Sequence, residues 1–284
     1  MTMKITSLRV AATAGLLGGL LGLALVSAQP ARAAEQENPP RANWTFAGPF
    51  GQFDRAQLQR GFQVYKEVCS ACHSVSQLSF RNLAQPGGPQ FPADQAAQIA
   101  IDWQQKVREI GDDGQPAERT PRLSDRIPGP FANVKAAEAA HGGKAPPDLS
   151  LMAKARSYER GFPWFLIDIF PPAYQEHGVD YVRAFLLGYE DGHEVPPGTH
   201  YNKYFPGNAV AMPNILQDGQ VTYSDGSPAT RAQYASDVTA FLMWAAEPHM
   251  EQRKRIGFQV LLFVLVLSIL LYFTKKKVWA KVEH

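Results

Sequence analysis

Apolar positions along the 284-residue chain fall into two kinds of pattern. Near the ends they run almost unbroken: residues 11–26 are mostly Ala, Leu and Gly, and residues 256–273 read IGFQVLLFVLVLSILLYF, eased only by Gln259 and Ser268. Between the ends they recur at helical spacing. Leu58, Phe62, Val64, Tyr65 and Val68 lie roughly on one face of a helix predicted over 55–69, behind Asp54 as N-cap. Tyr234, Val238, Phe241, Leu242 and Ala245 recur at three and four over 230–246, bracketed by Pro228 and Pro248. Gly61, inside the first helix, costs about 1 kcal/mol relative to Ala, so it marks close approach of another helix, and 230–246 is the natural partner. Shorter helices are predicted over 74–83, 93–110, 132–140, 151–158 and 181–187, a small hairpin over 221–226, and loops over 85–92 and 116–130. Trp44, Phe46, Phe50 and Phe53 form an aromatic lead-in expected to pack near the base of the domain. The fold class is mainly α, with long loop insertions and one C-terminal transmembrane helix.

The ends define the organisation. Lys4 and Arg9 precede the first apolar run and Ala31-Arg32-Ala33 follows it, the pattern of a secretory signal cleaved near Ala33. The second run, at 1.5 Å per residue, covers about 27 Å, enough for one nearly upright span. Arg253, Lys254 and Arg255 precede it and Lys275, Lys276, Lys277 and Lys281 follow it, so the count of basic residues decides orientation only weakly. The exported N-terminus decides it: residues 1–33 are a cleaved signal, 34–250 a periplasmic domain, and 251–284 an inner-membrane anchor with a short cytoplasmic tail. The formal charge is +2 for the whole chain but −6 for residues 34–250. An acidic exported body disfavours nucleic acid and suits a basic partner, and equally suits simple solubility. Glu109, Asp112 and Asp113, and Glu190, Asp191 and Glu194, form two acidic groups.

The only two cysteines fall in Cys69-Ser70-Ala71-Cys72-His73. Two thiols three apart with an imidazole directly after them is the c-type haem attachment pattern. Each thiol adds to one vinyl group, giving two thioethers, and His73 meets the iron. A dithiol redox site would need a βαβ setting, and a structural zinc site about four closely spaced ligands; neither pattern is present. One haem c is therefore the expected cofactor. An electron carrier wants a sixth ligand, and thioether sulfur favours ferrous iron. Met212, in an irregular Pro/Gly-framed stretch, and Met152, in a short helix, are the principal candidates. Met243 falls within a helix and Met250 at the membrane boundary, and His141, His193 and His200 are lesser rivals.

The residues from about 53 to the C-terminus resemble the cytochrome c1 family in its alphaproteobacterial form, the haem subunit of the quinol–cytochrome c oxidoreductase (cytochrome bc1) complex. The matching stretches are Arg60-Gly61-Phe62-Gln63-Val64-Tyr65 running into the haem pentapeptide, Pro146-Pro147-Asp148-Leu149-Ser150, Tyr204-Phe205-Pro206-Gly207 to Met212-Pro213, and Trp244-Ala245-Ala246-Glu247-Pro248 leading to the span. The resemblance implies a cytochrome c-like haem domain in which Cys69 and Cys72 hold the haem and His73 and Met212 ligate iron. It further implies that Arg156 pairs with a haem propionate and that Pro147 lies on the His73 side; His141 stands where relatives often carry Asn. Some relatives brace the Met loop with a disulfide, and this chain, lacking those cysteines, must use another constraint. The implied function is electron transfer from the Rieske iron–sulfur subunit to cytochrome c, beside cytochrome b, without bond chemistry of its own; a free-standing membrane-anchored cytochrome c is the alternative. The apolar residues 162–174 match no shared feature.

Overall fold

The computed structural model describes residues 37–158 and 177–281. The expected signal over 1–33 and the apolar stretch 162–174 lie outside them. The elements in chain order are α1 (Arg55–Glu67), a 3-10 turn (Cys69–Ala71), a second 3-10 turn (Phe80–Ala84), α2 (Ala93–Ile101), β1 (Val107–Ile110), β2 (Pro116–Arg119) and α3 (Val134–Ala140). There follow α4 (Met152–Ala155), α5 (His177–Leu187), β3 (His200–Tyr201), β4 (Ala209–Val210), α6 (Arg231–Ala246) and α7 (Met250–Val278).

The core is built on the crossing of α1 and α6. Asp54 caps α1 by accepting from the Ala56 and Gln57 N–H groups, and Thr230 caps α6 by accepting from Gln233 N–H. A Cβ on Gly61 would lie 2.1 Å from the Asp237 carbonyl oxygen, so the two backbones meet there and only glycine fits. Phe62 and Tyr65 from α1 meet Phe241 from α6 at ring-centroid distances of 5.7 Å, and both stand 6.4 Å from Trp103. Each such side chain contributes roughly 1.5–3 kcal/mol by leaving water. Helix α6 is buried almost all round, from Tyr234 through Ala245, as befits a central helix. Its one buried charge, Asp237, accepts from Arg60 Nε at 3.0 Å and from Gln233 Nε2 at 2.9 Å. Arg60 also reaches Asp225 at 2.7 Å. Arg60 and Gly61 thus fix the crossing by charge and by shape.

Several expected elements differ. The helix predicted over 93–110 stops at Ile101, because the buried Trp103 ring turns inward and donates from Nε1 to the Pro128 carbonyl at 3.1 Å. Beyond it Val107–Ile110 pairs antiparallel with Pro116–Arg119, a hairpin closed around Asp112-Asp113-Gly114. Ion pairs Arg108–Glu118 at 3.3 Å and Arg119–Glu109 at 2.9 Å lace it. The hairpin predicted over 221–226 does not form. Val221 needs no strand partner, since its N–H donates to the Tyr234 hydroxyl at 3.0 Å and its carbonyl accepts from the same hydroxyl at 2.5 Å. The predicted 3.6-period helices otherwise appear, with 151–158 shortened to Met152–Ala155 and 74–83 reduced to the turn Phe80–Ala84.

Helix α7 is the one helix among the described residues long and apolar enough to cross a membrane. Its apolar side chains from Ile256 to Phe273 are exposed, while Met250 at its start is buried. Its first turns are stapled to the aromatic lead-in. Glu251 accepts from Phe53 N–H at 2.8 Å and from Arg55 at 2.6 Å, Lys254 donates to the Phe46 carbonyl at 2.5 Å, and Phe258 meets Phe50 at 5.4 Å.

Candidate functional site

The Cys-X-X-Cys-His stretch leaves α1 through the 3-10 turn Cys69–Ala71, with the Cys72 and His73 N–H groups both donating to the Cys69 carbonyl. Both thiols are free, Cys69 buried and Cys72 half-buried. Burial, followed by the neighbouring Cys72, pushes the Cys69 thiol up to about 12, so it stays a neutral S–H at ordinary pH. That is not the low-pKa thiolate of a redox pair. Among the described residues no group of three or more His, Cys, Asp or Glu side chains forms a metal-holding cluster.

His73 is buried, and its Nδ1 lies 2.7 Å from the Pro147 carbonyl oxygen. A carbonyl can only accept, so Nδ1 carries the proton and the Nε2 lone pair is left for a ligand. Burial lowers the His73 pKa more than the Pro147 hydrogen bond raises it, and the neutral imidazole is the form that binds iron. Tyr65 holds the same residue from behind by donating to the His73 carbonyl at 3.1 Å. His141 hydrogen-bonds the Ala137 carbonyl through Nδ1 at 2.9 Å, lies edge-on to Phe131, and is close enough to oppose a charge on His73. Cys69, Cys72, His73, Pro147 and His141 therefore form one constellation.

The methionines separate by burial. Met243 and Met250 are fully enclosed in protein, whereas Met152 and Met212 are half-buried against the core edge. Met212 comes in just after β4, with its carbonyl accepting from the Tyr189 hydroxyl at 3.0 Å. Arg156, exposed at the end of α4, makes no side-chain hydrogen bond or ion pair among the described residues. Its charge reaches Tyr181, whose pKa burial raises and Arg156 partly restores. Two free thiols, a neutral imidazole with Nε2 free, a half-open thioether and an unpaired guanidinium suit a covalently held haem with anionic propionates.

The Cytochrome C1 family description matches residues 44–282. The chain is 51% identical over 267 residues to cytochrome c1 of Blastochloris viridis, covering 93% of this chain and 94% of that one. It is 38% identical over 288 residues to the mitochondrial cytochrome c1 heme protein of Saccharomyces cerevisiae, covering 100% and 86%. It is 58% identical over 264 residues to cytochrome b/c1 of Bradyrhizobium diazoefficiens, covering 91% of this chain but only 38% of that longer protein. The chain belongs to the cytochrome c1 family. As a cytochrome c1 it is an electron-transfer subunit with a c-type haem, and the free-standing shuttle is not favoured.

Sequence reasoning missed the residues that hold the His73 side. Asp148 accepts from Ser74 Oγ at 2.6 Å, Ser76 N–H at 2.9 Å and Ser150 N–H at 2.8 Å. Leu149 N–H donates to the Ser74 carbonyl at 2.8 Å, and Gln77 N–H donates to Ser150 Oγ at 3.0 Å. Burial alone would raise the Asp148 carboxyl, but the bonds from Ser150, Ser74 and Ser76 outweigh it and leave it below the usual range. The local signal was the Asp-x-Ser pattern, in which an Asp side chain caps the backbone two residues on. No such signal marks Tyr189, whose partner lies 23 positions along the chain.

Proposed function

We propose that this chain accepts one electron from a reduced Rieske iron–sulfur subunit and passes it to a cytochrome c, within a cytochrome bc1 complex beside cytochrome b. A haem c, attached through Cys69 and Cys72, supplies a one-electron couple when bound. The observation that carries the reading is His73, presented immediately after the thiol pair with Nδ1 committed to Pro147 and Nε2 available. His73 and Met212 would hold the iron of that haem. Arg156 balances propionate charge, and Pro147 and His141 line the His73 side. The chain supplies position, charge and exclusion of water rather than a proton or nucleophile. The haem domain comprises residues 34–250 on the periplasmic side, preceded by the cleaved signal 1–33 and followed by a single-pass inner-membrane anchor and cytoplasmic tail, 251–284. Because Glu251 and Lys254 staple the anchor to the domain, a stop after Arg255 should yield a soluble, haem-bearing domain more stable than one cut after Met250.

The test is a detergent extract of membranes carrying the full chain. Haem that survives acid-acetone extraction on this polypeptide, and co-migration with b-type haem and an iron–sulfur protein on a native gel, are expected. Extractable haem would overturn the cofactor assignment, and migration without b-type haem would overturn the complex. Rapid-mixing oxidation by a basic cytochrome c, slowing as salt rises, is expected of the acceptor step; electron transfer indifferent to added cytochrome c would overturn it.

A further inference from the structure

The 212–216 segment is almost unsupported by its own backbone. Among the described residues its sole hydrogen bond is the one that the Tyr189 hydroxyl donates to the Met212 carbonyl, 3.0 Å away. Tyr189 itself is well fixed. It follows α5 directly, its ring meets Phe185 edge-on at 5.7 Å, and it bridges Asn202 by backbone pairing. Asn202 is fully buried and is the hub of the loop: Nδ2 donates to the Phe185 carbonyl at 2.7 Å, Oδ1 accepts from Tyr204 N–H at 3.1 Å, and its N–H donates to the Asn208 carbonyl at 3.0 Å. Gly188 lets this hub close, since a Cβ there would lie 2.5 Å from the Tyr204 ring and 2.9 Å from Asn202 Oδ1. Helix α5 is tied in turn to α6 through Arg183–Ser236 at 2.9 Å and Arg231 to the Leu186 carbonyl at 3.2 Å.

We propose that Tyr189 is a positioning residue: its hydroxyl transmits the rigidity of α5 and the Asn202 hub to Met212 and holds the thioether at the haem's distal side. The proposal rests on Met212 being the sixth ligand. A thioether binds iron weakly and must be delivered by a backbone that does not drift. One well-placed donor on the ligand residue's own carbonyl restrains the point where drift would matter most. The constraint is non-covalent and reaches Met212 from the helix that ends 25 residues before it in the chain.

The experiment is Tyr189→Phe in the full chain, with Met212→Leu as reference and Tyr201→Phe as control. Phenylalanine keeps the ring and its Phe185 contact and removes only the hydroxyl. Haem attachment is expected to be unchanged in all three. Tyr189→Phe is expected to weaken the thioether-to-iron absorption band of the ferric protein on mild warming, and to raise carbon monoxide binding by the reduced protein at least tenfold over wild type, short of the level in Met212→Leu. Tyr201→Phe should match wild type. If Met212→Leu opens the iron while Tyr189→Phe stays indistinguishable from wild type across temperature, the brace is wrong and the ligand right. If Met212→Leu changes neither band nor carbon monoxide binding, the ligand assignment beneath the proposal fails. Equal effects of Tyr201→Phe and Tyr189→Phe would mean general loosening of the loop and would also overturn the brace. Should Tyr189→Phe fail to accumulate, Tyr189→His provides a second variant that presents a ring N–H; a closed iron there supports the brace and an open one overturns it.

Discussion

Residues 73–77 and 147–150 are joined by five hydrogen bonds, among them the one that orients the His73 ring, whereas residues 212–216 receive a single one from Tyr189. The His73 side is a dense clamp: a 3-10 turn and a capping aspartate from over seventy positions further along the chain lock the imidazole with its acceptor nitrogen free. The Met212 side hangs from the end of α5 through one hydroxyl, that of Tyr189, whose backbone a buried asparagine holds. With His73 and Met212 as the proposed iron ligands, the strong ligand would have the dense support and the weak one the sparse support, so the Met212 side is the one that perturbation should open first. It also separates two consequences of damage. Loss on the Met212 side should appear in the redox couple, and loss on the His73 side in the stability of the fold.

The largest expected effect is on the couple. Met212→Leu leaves Cys69, Cys72 and His73 untouched, so haem attachment should persist. Removing a soft ligand that favours ferrous iron should lower the potential by roughly a hundred millivolts or more, and about 59 mV is already a tenfold change for one electron. Potentiometric titration reads the drop directly. Met152→Leu, nearly volume-conserving at a half-buried position, should move neither potential nor stability by much. The reverse outcome would transfer the ligand role to Met152.

Next comes the clamp. Asp148→Ala strips three donors of a charged acceptor, at a cost of about 2–4 kcal/mol of stability in urea unfolding, while the potential of the folded fraction should shift far less than in Met212→Leu. Equal potential shifts in the two variants would erase the contrast between the sides.

Acid should probe the same clamp more gently. An unfolded Asp titrates near about 3.9, and Asp148 in the fold lies below its usual range. A depressed carboxyl contributes stability above the unfolded pKa and loses it as pH falls through the folded pKa. Wild-type stability should therefore fall more steeply than that of Asp148→Asn as pH drops from about 5 to about 3. Parallel curves would mean that the carboxylate charge is not what holds Ser74 and Ser76.

The contrast also explains what could be read in advance. The α1 and α6 helices and their crossing at Gly61 follow from local period, and the structure places them so; the thiol pair and His73 are picked out by spacing and chemistry. The helix expected over 93–110 failed because a buried tryptophan and an Asp-Asp-Gly turn outweighed a plausible helical period. The resemblance, with the cysteines missing, implied another restraint on Met212 but not its identity, because Tyr189 meets Met212 only through folding. Asp148 lay within a motif already noted, yet its carboxyl was not recognised as the clamp, since Ser74 and Ser76 come from a segment over seventy positions earlier.

The smallest expected effect concerns the surface of the Met212 side. Of the six acidic residues that could attract a basic cytochrome c, Glu109 is engaged by Arg119, and Glu190 by Lys203 at 3.0 Å and His193 at 3.5 Å. Lys203 holds the Glu190 carboxyl below the usual range, yet both groups face solvent, where such pairs add little to stability. Lys203 N–H donates to the Gly188 carbonyl through the backbone, which substitution leaves in place. Lys203→Gln should therefore leave the potential and the unfolding curve unchanged. It should release one negative charge beside Asp191 and Glu194, so association with a basic cytochrome c should quicken modestly at low ionic strength. The gain should vanish once the screening length falls to about 8–10 Å at ordinary salt. A slower association at low salt would show that the partner reads Lys203 itself rather than the carboxylates around it. A changed potential would show that this surface pair, and not only Tyr189, supports Met212.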